Sequence, residues 1–182
     1  MPGDGLTVGI CPVGEIDTLY PKIIAAHIAG YLNLPSRILK PVSCPASAFE
    51  KNRMQYDAGR VLAHLEHIAR SDCTKLIGIT AVDLFVPIFT HVFGEACQGG
   101  RAALVSTFRL AGPAKNDGAS PALIYERTAK VALHELGHLF NLTHCDDQLC
   151  LMHFAGDLEE LDNSRIGFCR YCRAYFRDAL TR

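Results

Sequence analysis

The side chains best suited to chemistry lie in one run, His134-Glu135-Leu136-Gly137-His138-Leu139-Phe140-Asn141-Leu142-Thr143-His144. Residues four apart on a helix sit nearly above one another, so His134 and His138 aim two imidazoles at one point, as a metal site requires. Glu135 leans toward the same side without being needed as a ligand; it is placed to hold a metal-activated water and take its proton. His144 completes a three-imidazole set only if the helix stops. Asn141 is the expected break, because Asn is the non-glycine residue that best tolerates the left-handed conformation at a helix end. Three protein ligands leave a fourth position for water or substrate, the pattern of a catalytic zinc. A chance match on an exposed helix turn is the bland reading. The apolar flanks Val131, Ala132, Leu133, Leu139 and Phe140 argue against it, since buried histidines and a buried glutamate need partners. A geometry in which Glu159 or Glu160 replaces His144 is the alternative ligand set; the direct spacing of His144 favours His144.

A second constellation follows at once: Cys145, Cys150, and the CxxC pair Cys169 and Cys172. Four thiolates suit a closed, tetrahedral structural zinc with sulfurs at ~2.3 Å. Two disulfides or four free thiols are the competing readings. The metal is preferred because no basic n-region precedes the first apolar stretch, so no secretory leader is expected. Because His144 and Cys145 are adjacent, the second zinc would pin the loop that carries the third histidine, in a segment with little regular structure of its own. The other four cysteines, Cys11, Cys44, Cys73 and Cys97, sit in apolar segments and read as buried thiols.

The elements that must position these residues are legible in part. Strands are expected at Leu6 to Cys11, Arg37 to Val42, Leu76 to Thr80, Ile88 to Ala96 and Arg101 to Arg109, the last two joined by a Gln98-Gly99-Gly100 turn. Helices are expected at Asp17 to Asn33, with Leu19, Ile23, Ala26 and Gly30 on one side, and at Tyr56 to Arg70, capped by Asp57. A long helix starts at Ser120-Pro121 and ends near Phe140, and a short one runs from Tyr171 to Leu180. Cys44 to Gln55 and Gly112 to Ser120 read as connections. The 182 residues, 49% hydrophobic and 20% charged, suit one domain with a mixed sheet on helices, of α+β class. The domain divides into a sheet-and-helix part to about residue 140 and a zinc-stabilised part from about 141 to 182.

Net charge is -1, so no strong field draws the chain to nucleic acid. No stretch approaches ~18 uninterrupted apolar residues, so no membrane span is expected. A cytoplasmic monomer follows. His27, His64, His67, His91 and His153 lack comparable ligand spacing and read as surface or satisfied histidines, with His153 beside the second metal. Arg165, Arg170, Arg173, Arg177 and Arg182 read as a solvated basic face.

Together the extended histidine motif, Cys145, Cys150, Met152 and Cys169-Arg170-Tyr171-Cys172 span 39 residues and resemble the archaemetzincins, a family of the metzincin clan. The segment Val92 to Arg101 is also similar. Two positions depart: Asn141 stands where the family usually has Gly, and Met152 to Cys169 is one residue shorter. The resemblance implies a metzincin-like (zincin-type) domain with an active-site cleft, two zinc ions and hydrolysis of peptide bonds. It implies that Met152 packs beneath the catalytic zinc without binding it. Val92, Phe93, Gly94, Glu95, Ala96 and Cys97 are then expected as an edge strand along which a peptide or protein substrate pairs, with Gly94 allowing close backbone approach. The wall of one specificity pocket is expected near Phe154. From another functional class, the competing reading is a non-catalytic zinc protein whose four-cysteine module binds a partner or nucleic acid. Glu135 discriminates, since a purely structural site has no use for a buried carboxylate beside its ligands.

Overall fold

The computed structural model describes residues 5–68, 73–112 and 119–181. A five-stranded sheet forms its centre, in the order β2-β1-β5-β9-β8. Strands β1 (Val8–Val13), β2 (Ser36–Ile38), β5 (Lys75–Thr80) and β9 (Ala102–Ser106) are parallel. β8 (Gly94–Ala96) closes one edge antiparallel to β9, with Glu95 opposite Leu104. β1 and β9 are buried along their whole length and β5 from Leu76 onward, which is why they read as continuous apolar runs and not as alternating ones.

A second sheet has the order β3-β4-β6-β7, from β3 (Phe49–Glu50), β4 (Gln55–Asp57), β6 (Leu84–Val86) and β7 (Phe89–Val92). Its presence corrects three expectations. The connection from Cys44 to Gln55 contains β3 and leads into β4. The second helix starts after β4, at Ala58. The strand expected from Ile88 to Ala96 is two strands, β7 and β8, which belong to different sheets. These strands are two to four residues long, too short to show a period of two.

Helices cover both faces of the central sheet. α2 (Ala58–Ile68) packs on β9, β8 and β6, with Asp57 capping its first turn through the Arg60 N–H. α1 (Leu19–His27) and α3 (Pro121–Leu139) pack together on the other face. In α1 the buried stripe is Pro21 and Ile24, continued by Ile28, not the expected Leu19, Ile23, Ala26 and Gly30. The real stripe follows the same helical period, displaced to a neighbouring face; Ile23 lies at its border. Pro21 sits in the first turn, where its missing N–H costs little. α4 (Leu158–Asn163) was not expected, and α5 (Arg170–Leu180) agrees with the short C-terminal helix. The end of the second expected helix and most of the loop from 112 to 120 lie outside the described residues, as does Arg182. Arg170, Arg173 and Arg177 are exposed along α5, as a solvated face requires. Among the described residues no helix is long and apolar enough to cross a membrane.

Candidate active site

α3 carries the site. Ser120 accepts the Leu123 N–H and Pro121 follows as the first helical residue, a start that stabilises a helix by ~1 kcal/mol. The helix ends in a six-residue motif. Asn141 has φ 69°, its N–H bonds to the His138 carbonyl, and the Leu142 N–H bonds back to the Gly137 carbonyl. This is a Schellman turn with Asn in the left-handed position. Asn141→Gly is therefore expected to change stability by less than ~1 kcal/mol. Asn141→Val should cost about 1–2 kcal/mol, because a β-branched residue pays the full left-handed penalty. Denaturant unfolding of both variants is the check; equal cost for Gly and Val would remove the turn from the explanation.

The reversal returns His144 to the helix. One ring nitrogen from each of His134, His138 and His144 lies within 4.8 Å of the others, in a geometry that can hold a metal ion. His134 Nδ1 lies 2.7 Å from the Leu151 carbonyl, and His138 Nδ1 lies 2.7 Å from the Leu142 carbonyl. A carbonyl only accepts, so both Nδ1 atoms carry the proton and both Nε2 atoms present lone pairs. Those two Nε2 atoms face each other at 3.1 Å. Two lone pairs at that distance repel unless a cation lies between the rings, so the donor set fits a metal. Burial, then the neighbouring imidazoles, depress the His134 pKa to about 3, opposed by the Leu151 hydrogen bond. The ring thus stays neutral, as a metal ligand must. Glu159 and Glu160, the alternative ligands, lie on α4, where Glu160 accepts the Gly156 N–H instead.

Glu135 is 7% exposed on the same helix. Burial and then the Glu95 carboxyl push its pKa well above the usual carboxylate range. A positive ion in the histidine site acts in the opposite direction and favours the carboxylate. Above Glu135 runs β8. A Cβ added at Gly94 would lie 2.7 Å from Glu135 Oε1 and 2.9 Å from Val131. Gly94 is thus needed because the strand crosses directly over the helix. Its bare side faces Glu135 and not an incoming peptide, a correction to the expected role.

β8 is an edge strand, as expected. The Ser106 N–H bonds to the Phe93 carbonyl and the Cys97 N–H to the Ala102 carbonyl. Alternation along an antiparallel ladder then directs the Glu95 groups toward β9 and the N–H and C=O of Gly94 and Ala96 outward. Val92, Phe93, Gly94, Glu95 and Ala96 all line a cavity of about 770 Å³ together with the three histidines and Glu135. Cys97 does not: its N–H points to β9 and its side chain packs in the core on the α2 face. Val92 lines the cavity from β7, not from β8.

Phe154 forms part of the opposite wall, followed by Ala155 and Gly156 and then Leu161 and Ser164 of the α4 region. Charged residues on the buried side of α3 hold α4 there. Arg127 grips Asp162 with two hydrogen bonds of 2.8 and 2.7 Å, and Lys130 Nζ donates to the carbonyls of Leu161 and Asp162 at 3.1 Å each. Arg127 and Lys130 escaped the sequence reading because nothing local distinguishes them from surface charges. His153 and His91 also line the cavity, against expectation. The His153 ring donates from Nδ1 to the Cys145 carbonyl at 3.0 Å, so the residue links the two constellations. Its only signal in the sequence is its place beside Met152. Met152 is fully buried, and its sulfur would lie 2.5 Å from a Cβ at Gly137. It therefore packs against the helix between the two histidines.

Cys145, Cys150, Cys169 and Cys172 also converge, their sulfurs all within 4.8 Å of one another. All eight cysteines are free. Cys150 Sγ accepts the N–H groups of Met152 and Cys169 at 3.4 and 3.3 Å, and Cys169 Sγ accepts that of Cys172 at 3.5 Å. Backbone donors pointed at sulfur favour thiolate. At Cys169 burial works against ionisation, but the N–H groups of Cys172 and Tyr171 outweigh it and the pKa falls below that of an ordinary thiol. Burial pushes the Cys150 and Cys172 thiols up, an effect that a cation among them would oppose, and four converging sulfurs fit a tetrahedral metal.

Known proteins are similar to this chain in sequence and in fold. Residues 19–178 match the sequence profile of peptidase family M54. The chain is 36% identical over 156 residues to an archaemetzincin of Methanopyrus kandleri, covering 86% of this chain and 85% of that one. It is 31% identical over 172 residues to an archaemetzincin of Haloquadratum walsbyi, covering 92% and 97%. The crystal structure of the Methanopyrus kandleri archaemetzincin superposes with a TM-score of 0.86 at 34% identity, covering all of both chains. A zinc-dependent peptidase from Methanocorpusculum labreanum superposes with a TM-score of 0.83 at 27% identity, covering 93% and 99%. The chain belongs to peptidase family M54, the archaemetzincins, and is a zinc metallopeptidase.

Proposed function

We propose that His134, His138 and His144 hold the catalytic zinc and that Glu135 is the general base for peptide-bond hydrolysis. The observation that carries this reading is the buried Glu135 carboxyl beside three imidazoles, two of which turn their lone pairs toward one point. When bound, the zinc supplies a Lewis acid that polarises the scissile carbonyl and acidifies water. Glu135 takes the proton of the attacking water and passes it to the departing amine. Gly94 and Ala96 hold the substrate main chain through their outward N–H and C=O groups, with Val92, Phe93 and Glu95 as flanking wall, so register comes from the backbone. Phe154 walls the specificity pocket. Met152 packs under the site, in keeping with the metzincin clan. Cys145, Cys150, Cys169 and Cys172 hold a second, structural zinc, which stabilises the part of the domain after residue 140. Eight unpaired cysteines suit a reducing compartment, which supports a cytoplasmic enzyme.

Metal analysis tests the assignment. The purified chain should carry two zinc ions, and zinc absorption spectra should fit one site of nitrogen ligands and one of sulfur ligands only. His144→Ala should lose the first component and keep the second. A single zinc on sulfur alone, with the histidine site empty under zinc excess, would refute the catalytic assignment.

A further inference from the structure

The two walls of the cleft meet at one end. Phe89, on β7, and Phe154, on the opposite wall, stack with ring centroids 5.9 Å apart and planes 29° apart. The Phe154 ring lies 5.2 Å from that of His144, so the aromatic bridge reaches from β7 to the histidine site. Both phenyl groups are nearly half exposed, at 44% and 46%, so the contact crosses the mouth and is not a core contact.

The bridge has a definite place along the substrate path. Gly94 sits over Glu135 and Val131, while the Gly99 N–H bonds to the His138 carbonyl at 2.8 Å, so β8 runs in the same direction as α3. The Phe89 end therefore lies toward the middle of α3, where Lys130 and Val131 line the cavity with Leu161 and Ser164 of the α4 region. At the opposite end Gln98 and Asn141 are exposed to solvent. Beyond Val92 the edge passes to β7 of the second sheet, where main-chain carbonyls are already engaged. The Phe89 and Thr90 carbonyls already accept from Arg53 at 3.1 and 3.2 Å, and Thr90 also accepts from Gln55 at 3.0 Å. The closed end is also apolar. Lys130, the buried cation among the described residues lining it, places its Nζ on the carbonyls of Leu161 and Asp162 and on Glu126 at 2.9 Å.

We propose that the cleft is one-sided and that the enzyme works at chain ends, releasing a short C-terminal piece whose first side chain is large and apolar. This rests on the peptidase reading above. An antiparallel partner is the better-bonded addition to an edge strand. Antiparallel to β8, a substrate enters N-terminal side first at the Gln98 end, and its C-terminal side points at the Phe89–Phe154 bridge. The residue after the scissile bond drops its side chain into the pocket at Val131 and Leu161, and the bridge leaves no path for a long continuation. Water adds across the bond: the C–N bond breaks, hydroxyl goes to the acyl carbon and the proton to the released amine.

The experiment uses the zinc-loaded chain and one peptide series with a central Ala-Leu bond, extended by four residues on either side or on both, read by mass spectrometry. N-terminal extension should keep or raise kcat/KM. C-terminal extension past two residues should lower it tenfold or more, about the loss of one main-chain contact pair. Phe154→Ala should keep its zinc and recover the C-extended peptides relative to the short ones. Binding of hydroxamate peptides extended on one side or the other gives the same comparison without turnover. Equal use of C-extended peptides by the native enzyme, or trimming from the N-terminus, would overturn the one-sided cleft while leaving the peptidase reading intact. Failure of both hydroxamate series to bind the zinc-loaded protein would overturn the peptide site itself.

Discussion

Glu135→Gln is expected to retain both zinc ions and to lose peptide cleavage by roughly 10²–10⁴-fold, the range that a positioned general base contributes. The substitution keeps shape and volume, which matters because the side chain is packed under Gly94 with contacts below 3 Å to any added Cβ. A smaller residue would leave a void beneath β8 and confuse loss of chemistry with loss of packing. The amide cannot accept the water's proton, but the imidazoles of His134, His138 and His144 are untouched, and their orienting bonds to the Leu151 and Leu142 carbonyls do not involve Glu135. Zinc content should therefore be equal in the two proteins while kcat falls. A variant with full metal content and more than a tenth of native turnover would assign the base elsewhere, and His153 would be the next group to test.

The second large effect is expected at Cys169. Cys169→Ser should empty the four-sulfur site, lower the melting temperature, and weaken the histidine site as well. The coupling has a traceable route. Cys150 Sγ accepts the Cys169 N–H, the next residue Leu151 offers its carbonyl to His134 Nδ1, and the Cys145 N–H bonds to the Met152 carbonyl at 2.9 Å. The segment 141–157 has no helix or strand, so beyond the burial of Leu142, Leu151 and Met152 it depends on these bonds and on the proposed metal. Structural zinc contributes on the order of 10–16 kcal/mol in small zinc peptides, and a missing ligand forfeits a good part of that. Metal analysis with a thermal melt decides the matter. Complete occupancy of the histidine site with an unchanged melting temperature would show the two sites to be independent.

What could be read from the sequence is what depends on short separations along the chain. The convergence of His134 and His138 follows from helical pitch, the Asn141 turn from the intrinsic tolerance of one residue type, and the Cys169-Cys172 pair from ligand spacing. The turn at Asn141 needs no glycine for the same local reason: φ 69° lies within reach of Asn. The Gln98-Gly99-Gly100 hairpin and the capped start of α3 belong to this class.

What required the tertiary structure involves residues far apart in sequence whose meeting no local period announces. β7 and β8 are separated only by Phe93, yet join different sheets, because pairing partners and not propensity decide where such short strands go. Gly94 was legible as a glycine with a purpose, but the purpose, clearance for Glu135, needed the crossing of β8 over α3. Lys130 and Arg127 read as ordinary helix charges until α4 came to rest on them. Phe89, His91 and His153 became cavity residues only when an edge strand and the loop after Met152 were set face to face. Helix pitch and turn chemistry act over a few residues and leave their mark in the sequence. The shape of the cleft, and with it the choice of substrate, arises from long-range packing that each wall's own sequence does not encode.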